Sequence, residues 1–564
     1  METSQTQPSD VDAPARRRPI FPWIVPVVAA VLLVLANFQN EIFGDEDPGI
    51  ANLANLAVPM LAVMLISIWY LIRRSLPFNG GTILASLGLL TPLALGVIFE
   101  PTFGGNAEIL GIQYRIRGKD SEVVDRSVEI TDPLLSTTTD FDFPQFLGPN
   151  RNGMIQNVTL LPWADQQPEL LWKQQCGAGW SGFAIVNGYV VTQEQRGEEE
   201  CVVCYQAETG ALVWIHRATR RHDDITGMGR VGPRATPLIH DGNVFAVGAT
   251  GILECLDGNS GDLIWSYDVP ANVGIEHNLR SSVQGYKYQQ EKSSLAWGRS
   301  GSPLFVGDKI VIPAGGMFSG GKPNAKAATL IAIDAKTGKM VWKGGQRMIA
   351  YGSPSLATIG GVEQILLTGE DHAVGHDPET GEELWSFPWP GSSAAQANCS
   401  QVTVLDSNTF LLSKGYGLGA EIIELAQNED GGFEASSRKK DRRVLRSKFS
   451  NPVISEGHAY SITNRFFECV ELATLRSKWR RRGFETGQLL MVGDKLLVHA
   501  QSGELALVAT NPDQYEELGR VTTVEGTCWN TLGFFKDMVF VRSEKEVACF
   551  RLAIQADEAT QSTE

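Results

Sequence analysis

The chain has 564 residues, of which 43% are hydrophobic and 58 are glycine, and its formal net charge is −16. That length exceeds one ordinary domain and the apolar content supports a sizeable core. The acidic balance excludes a nucleic-acid surface, which needs a field of the opposite sign, and the glycines predict the many tight turns of an all-β chain.

Taken in chain order, residues 1–19 form a polar tail and three apolar runs follow, at about 20–38, 51–72 and 82–99. Each is expected to cross a hydrocarbon core of about 30 Å as a helix rising 1.5 Å per residue. Pro22, Pro26, Pro59 and Pro92 are tolerated in such helices. The first run is not expected to be a cleaved signal, because no small-residue cleavage site follows it and two further runs do.

Arg16, Arg17 and Arg18 precede the first run, acidic residues (Glu41, Asp45, Glu46, Asp47) follow it, and Arg73 and Arg74 follow the second. The positive-inside rule then places the amino terminus in the cytoplasm, and three crossings deliver everything after Glu100 to the periplasmic, extracytoplasmic side of an inner membrane. Residues 100–142 read as a linker, 143–555 as the main domain and 556–564 as a disordered tail.

An eleven-residue phrase recurs within the main domain. It runs Cys204–Trp214, Cys255–Trp265 and Ala332–Trp342, with a close copy at Gly375–Trp385 and an eroded one at Cys469–Trp479. A repeat of this kind decides the architecture. Its acidic residue accepts backbone hydrogen bonds at a turn, its Gly takes a positive φ, and its Trp buries a large surface where units pack.

Between the copies lie short turns at Asn187-Gly188, Asp241-Gly242, Gly307-Asp308, Gly360-Gly361, Asp406-Ser407, Glu456-Gly457, Gly493-Asp494 and Lys536-Asp537, each flanked by alternating apolar residues. Two hairpins per unit, repeated eight times, predict an eight-bladed β-propeller of four-stranded antiparallel blades. A long insertion is expected from about Tyr267 to Trp297. The eighth unit ends after Leu552 without a returning Trp strand, whereas Glu169–Trp172 supplies such a strand with no unit before it, so the first strand is expected to close the last blade.

The phrase Ala-x-Asp-x-x-Thr-Gly-x-x-x-Trp, best preserved at Ala332–Trp342, resembles the repeat of the pyrroloquinoline-quinone (PQQ) type β-propellers. That superfamily includes quinoprotein alcohol dehydrogenases and the non-enzymatic propeller lipoprotein of the outer-membrane barrel-assembly machinery. The segment Phe143–Gly153 is similar to a sequence of a planctomycete-type subgroup, as are Trp297–Pro303 and Pro388–Ser393. The resemblance spans roughly residues 140–555 and implies the propeller fold, while one propeller scaffold hosts many functions.

In the dehydrogenases of that superfamily a ring of adjacent, disulfide-bonded cysteines and a Trp floor sandwich PQQ beside a calcium ion. Adjacent cysteines are absent from this sequence, where the nearest pair is Cys201 and Cys204. Cys204, Cys255, Cys469 and Cys549 take the place that Ala332 and Gly375 hold in other units, which reads as a small-residue packing position.

No metal site and no catalytic residue is assigned. His372 and His376 read as strand and turn, and His222-Asp223-Asp224 is the better cation candidate. The basic clusters at Arg220-Arg221, 439–443 and 480–482 read as solvated charges.

The loops leading into the innermost strands are expected to surround an axial channel. They nominate Trp180, Arg234, Arg299, Tyr351, Asn398, Asn451 and Trp529 for a small anionic or sugar-like ligand, guanidinium groups binding charge and indoles stacking. The competing expectation is that these side chains fill the channel and bond to one another. The function expected is a membrane-embedded, exported binding or assembly module with protein partners or a small polar ligand, no nucleic acid and no cofactor. The alternative is a PQQ- and calcium-dependent oxidoreductase of alcohols or sugars.

The topology predicts that a reporter fused after residue 564 is active only outside the cytoplasm. Activity confined to the cytoplasm overturns it.

Overall fold

The computed structural model describes residues 21–38, 48–73, 80–103, 109–114, 135–164, 166–222, 229–274, 297–315, 318–319, 322–323, 325–390, 397–463 and 466–555. Asp223, Asp224, most of the insertion after Tyr267, residues 391–396 and both chain ends therefore lie outside the described residues. Two compact units are present, one of helices and one of strands.

The helical unit consists of α1 (Phe21–Asn37), α2 (Pro48–Arg73) and α3 (Gly80–Ile98). Asn37 and Asn55 exchange side-chain hydrogen bonds of 2.8 and 3.0 Å between α1 and α2. Gly88 lets α3 approach α2 so closely that a Cβ there would stand 2.5 Å from the Ser67 hydroxyl; small residues and amide pairs are what hold helices together in an apolar medium. The 22-residue stretch Ala51–Ile72 of α2, mean hydropathy 2.0, is long and apolar enough to cross a membrane. The apolar stretches of α1 and α3, Trp23–Asn37 and Gly80–Leu95, are shorter, reaching only about 24 Å at 1.5 Å per residue. One helix thus meets the length of a span where three were expected. A hairpin, Phe99–Phe103 with Ile109–Tyr114, lies in the segment expected as a linker.

The strand unit is a propeller of eight blades. Seven follow one another at Ala184–Thr219, Leu238–Asp268, Leu304–Gly344, Ser355–Pro388, Thr403–Asp441, Val453–Arg482 and Gln488–Thr522, each an antiparallel meander of four strands. The eighth joins Gly533–Phe535, Met538–Arg542 and Glu546–Arg551 to Glu169–Gln175, with Trp172 opposite Cys549. The ring is therefore closed by a strand from its own beginning, as expected.

Four of the eight inner turns take left-handed backbone at both central residues, as at Asn187 (φ 49°) and Gly188 (φ 81°), and three more do so at the first, Gly307, Gly493 and Lys536; the former is the geometry that matches strand twist. The fifth departs: Asp406 Oδ1 accepts the amides of Asn408 and Thr409 at 2.9 and 2.8 Å.

The recurring phrase forms the outer hairpin, and its Trp reaches into the next blade. Trp172, Trp214, Trp265, Trp342 and Trp479 donate Nε1–H to the carbonyls of Ala207, Gly258, Ala335, Pro378 and Asn511, at 2.7 to 3.2 Å. The first four rings lie on the Thr-Gly or Ser-Gly turn of that neighbour: a Cβ at Gly338 would stand 2.7 Å from Trp265, and one at Gly381 would stand 2.3 Å from Trp342. Glycine is needed there for its missing side chain as well as for its φ.

Within its own blade the Trp sits opposite a small residue, Cys204, Cys255, Ala332, Gly375, Cys469 or Cys549, with a β-bulge immediately after it. The cysteines thus hold packing positions. All eight are unpaired thiols, seven of them buried.

Blade seven carries Gly519 where others have Trp, and Trp163 from the preceding segment packs on it, wholly buried and with its amide bonded to Leu518 O at 3.0 Å. That segment straps the blades together. Leu135, within the expected linker, is buried among blades one and two. Phe143 bridges Ile185 of blade one, and Pro144 O accepts Ile239 N of blade two. Arg151 donates to Ser302 O and Pro303 O at 3.2 and 2.9 Å, ahead of blade three. Met154 and Ile155 add a fifth, parallel strand to blade seven. The Phe143–Gly153 sequence is therefore a crossing under the inner strands, and burial lowers the Arg151 guanidinium to about 9.

Deleting residues 165–175 removes both the closing strand and Trp172. The expected result is cooperative destabilisation of the whole propeller, by at least the roughly 3 kcal/mol of a lost buried aromatic side chain. An unchanged melting temperature by circular dichroism overturns the closure.

Candidate functional site at the channel mouth

The loops leading into the inner strands are tied to one another around the axis. Ser181 Oγ donates to Ala235 O (2.8 Å), Thr236 N to Ser302 Oγ (2.9 Å) and Ser302 N to Ser353 Oγ (3.0 Å). Gln401 Nε2 reaches Pro354 O (3.4 Å), and Gln401 N donates to Asn451 Oδ1 (2.7 Å). Gln488 Nε2 donates to Phe449 O and Trp529 O (3.1 and 2.9 Å), and Asn530 Nδ2 to Ser181 O (3.0 Å). These bonds run through all eight blades and return to the first. Short polar side chains serve here because each has to reach one neighbouring backbone group in a crowded ring.

Above this girdle the nominated aromatics meet. Trp180 and Trp529 lie 4.6 Å apart between ring centres, and their Nε1 groups are bound to Gly229 O and Gln501 Oε1. The Arg230 guanidinium stands 5.9 Å from each ring and pairs with Glu544 at 2.7 Å. Tyr351 stacks on Trp297 at 5.2 Å, and its amide donates to Asn398 O at 3.0 Å. Arg234 links the two aromatic groups, donating to Trp297 O and, at 2.6 Å, to Gly229 O.

The structure therefore brings Trp180, Trp529, Arg234, Tyr351 and Asn398 into one neighbourhood and places Asn451 in the girdle. Arg299 stands apart: it packs on Gly251 and donates to Ala314 O within blade three at 2.5 Å.

Buried amides here keep unused capacity. Asn398 Oδ1, Gln401 Oε1, Asn451 Nδ2 and Asn530 Oδ1 have no hydrogen-bond partner among the described residues, although all four side chains are more than nine-tenths buried. Buried polar atoms of this kind are normally satisfied by protein, water or ligand.

Sequence reasoning missed Lys414, Arg230 and Glu370. Lys414 ends a wholly buried strand and donates to Glu370 O at 3.3 Å; burial lowers its amine to about 8. A lysine closing the run Thr-Phe-Leu-Leu-Ser was the available signal. Burial pushes the nearby Cys399 thiol up to about 12, so it is protonated at neutral pH. Among the described residues no group of three or more His, Cys, Asp and Glu is placed to hold one metal ion. His376 is buried with Nδ1 on Gly381 O at 2.9 Å, and His372 pairs with Asp371.

A polar cluster lies in the adjoining wall. Arg220 pairs with Glu254, His216 stands 3.6 Å from the same carboxylate, and Glu200 Oε1 accepts the Ala249 amide at 2.7 Å. Burial raises Glu200 to about 7 against the pull of Arg220.

A family model described as outer membrane protein assembly factor BamB matches residues 164–323 and 290–514. The 1-butanol dehydrogenase (quinone) of Thauera butanivorans is 27% identical over 171 residues, 28% of this chain and 23% of that protein. The dehydrogenase subunit of alcohol dehydrogenase (quinone) from Komagataeibacter europaeus is 29% identical over 172 residues, 28% of this chain and 20% of that protein. The matches thus span about a fifth to a quarter of the length of these relatives. Among solved structures, BamB from Moraxella catarrhalis is 13% identical, with a TM-score of 0.43 over 69% of this chain and 100% of its own. The quinohemoprotein alcohol dehydrogenase of Comamonas testosteroni is 11% identical, with a TM-score of 0.40 over 76% of this chain and 83% of its own.

Because folded Glu200 holds its proton up to about pH 7 and an unfolded glutamate only to 4.5, stability falls as pH rises between those values and is level above them. Glu200→Gln removes that loss. It is expected to unfold at higher denaturant than the parent at pH 8, by about 3 kcal/mol at 1.36 kcal/mol per pH unit, and nearly with it at pH 5. A pH-independent difference overturns the assignment.

Proposed function

The chain belongs to the family whose model is described as outer membrane protein assembly factor BamB, and from that premise we propose that it is a membrane-anchored, exported propeller working as a binding and assembly module. The anchor is the helical unit. Three helical passages, with the amino terminus in the cytoplasm, put the propeller on the periplasmic side. α1 and α3 complete their passages with flanking residues and local thinning of the bilayer.

The observation that carries this reading is the girdle. Side chains at the channel mouth fasten neighbouring blades, and desolvation holds the thiols of Cys204, Cys399 and Cys549 protonated, so the site's chemistry favours recognition over group transfer. A small polar ligand enters at the mouth, where Tyr351 and Trp297 offer a face, Arg234 offers charge, and Asn398 and Asn451 offer unused amide atoms. Trp180 and Trp529 wall this mouth, and Arg299 supports it from blade three.

One observation favours a second reading, PQQ-dependent oxidation of an alcohol or sugar: the similarity to quinone-dependent alcohol dehydrogenases. The residues present do not fit the cofactor pair. No cysteines are adjacent. Trp180 and Trp529 cover each other at 4.6 Å. Glu544 is occupied, taking Arg230 on Oε1 and the Thr527 amide on Oε2 at 2.6 Å. We therefore assign no cofactor.

The test is to incubate the purified full chain with PQQ and calcium and record its absorption and its reduction of a dye with ethanol and glucose. The expected outcome is neither stoichiometric uptake nor turnover. Uptake with turnover replaces the module by the oxidoreductase.

A further inference from the structure

The chain's charge is distributed against its overall sign. Residues 438–446 and 476–482 hold 11 of the 48 lysines and arginines and a single acidic residue, Asp441, in a protein of net charge −16. The first segment ends the outer strand of blade five (Phe433–Asp441) and the loop after it, and the second is the outer strand of blade six (Arg476–Arg482).

The two segments are neighbours in space. Lys439 Nζ donates to Ala473 O in the turn before the second, and Arg480 Nη2 donates to Arg443 O at 2.7 Å. Outer strands bear one unpaired edge, so their side chains are accessible: Arg438, Lys440, Arg442, Arg443, Arg476, Lys478, Arg480, Arg481 and Arg482 are all exposed.

Internal pairing neutralises only part of this surface. Lys440 pairs with Glu421, Arg443 with Asp441, Arg480 with Glu468 and, at 3.9 Å, Lys478 with Asp513. Arg438, Lys439, Arg442, Arg446, Arg476, Arg481 and Arg482 have no carboxylate within ion-pair distance among the described residues. Instead, Arg481 and Arg482 lie over the rings of Tyr515 and Phe466 at 5.4 Å, which holds their planes at the surface. Blades two and three present a different outer edge, apolar at Leu263, Ile264, Met340 and Val341, so the basic edge is local to two blades.

We infer that the outer edge of blades five and six docks on an anionic phospholipid surface, that of the bilayer holding the helical unit. Charge complementarity selects a polyanion. Covalent continuity with a membrane helix selects lipid, because tethering raises the effective concentration of that surface above that of any soluble anion. The inference rests on the membrane-anchored reading above.

The full chain, reconstituted in nanodiscs of phosphatidylcholine alone or mixed with phosphatidylglycerol, is digested with trypsin, and cleavage within the two basic segments is followed by mass spectrometry. Anionic discs are expected to slow cleavage there about tenfold, with other sites unchanged. The protection should disappear near 0.5 M salt, where the screening length is only about 4 Å. The variant R438E/R442E/R476E/R481E is expected to incorporate and melt like the parent while its remaining basic sites lose protection.

Equal cleavage in both disc types overturns the docking surface, as does protection by soluble polyphosphate without protection by discs. A chain that fails to co-elute with discs refutes the anchor instead. The same chain is then sedimented with phosphatidylglycerol vesicles, where salt-sensitive binding lost in the variant upholds the surface and no binding overturns it.

Discussion

Four successive blade interfaces, from the eighth blade through the fourth, are held by one indole ring laid on a glycine of the next blade. The ring's Nε1–H satisfies a turn carbonyl and its face covers the turn's backbone, so one residue supplies both the apolar burial and the polar match of an interface. That contact requires three things at fixed spacing: an acidic residue to shape the turn, a glycine to leave room and a small residue beneath the indole. Asp334 shows the first, accepting the Thr337 amide at 2.7 Å; the hydroxyl and amide of Thr337 hold its carboxyl below the usual range. The eleven-residue phrase is the linear trace of this geometry.

Where the phrase fails, the fold compensates. Blade five has no such turn, and Trp385 of blade four turns its Nε1–H back to Gln364 Oε1 in its own blade at 2.7 Å. Blade seven lacks the Trp, and Trp163 fills its place from the strap. The closing strand does the same for blade eight. An indole thus stands at interfaces whose own blade does not encode one, and the amino-terminal strap is as much a part of the propeller as its blades.

The channel mouth is shaped by the same need to join blades. Its short polar residues close a ring of hydrogen bonds, and this ring limits what remains for a ligand to the aromatic pair Trp297 and Tyr351, one bridging guanidinium and a few amide atoms. The outer edges, free of the ring's constraint, differ from blade to blade, apolar in blades two and three and basic in five and six. The variation between blades thus lies on the edges, with the axis as the structural hub.

Sequence alone determined the number of blades, their four-stranded composition, the closing strand and the packing role of four cysteines, because each follows from local spacing: a turn type, a glycine, a Trp and the small residue opposite it. The apolar runs at the amino terminus were equally legible as helices, although their length as spans depended on where each helix begins and ends. Tertiary structure decided the rest. That Trp163 replaces a missing repeat residue, that Arg151 reaches the backbone ahead of blade three, that Arg299 packs on Gly251 of blade two, and that Lys414 is buried beside Cys399 are meetings of residues distant in the chain. So is the joining of two basic segments into one edge. Periodicity reports what a residue does for its own turn, whereas a site depends on which turns the closed ring brings face to face.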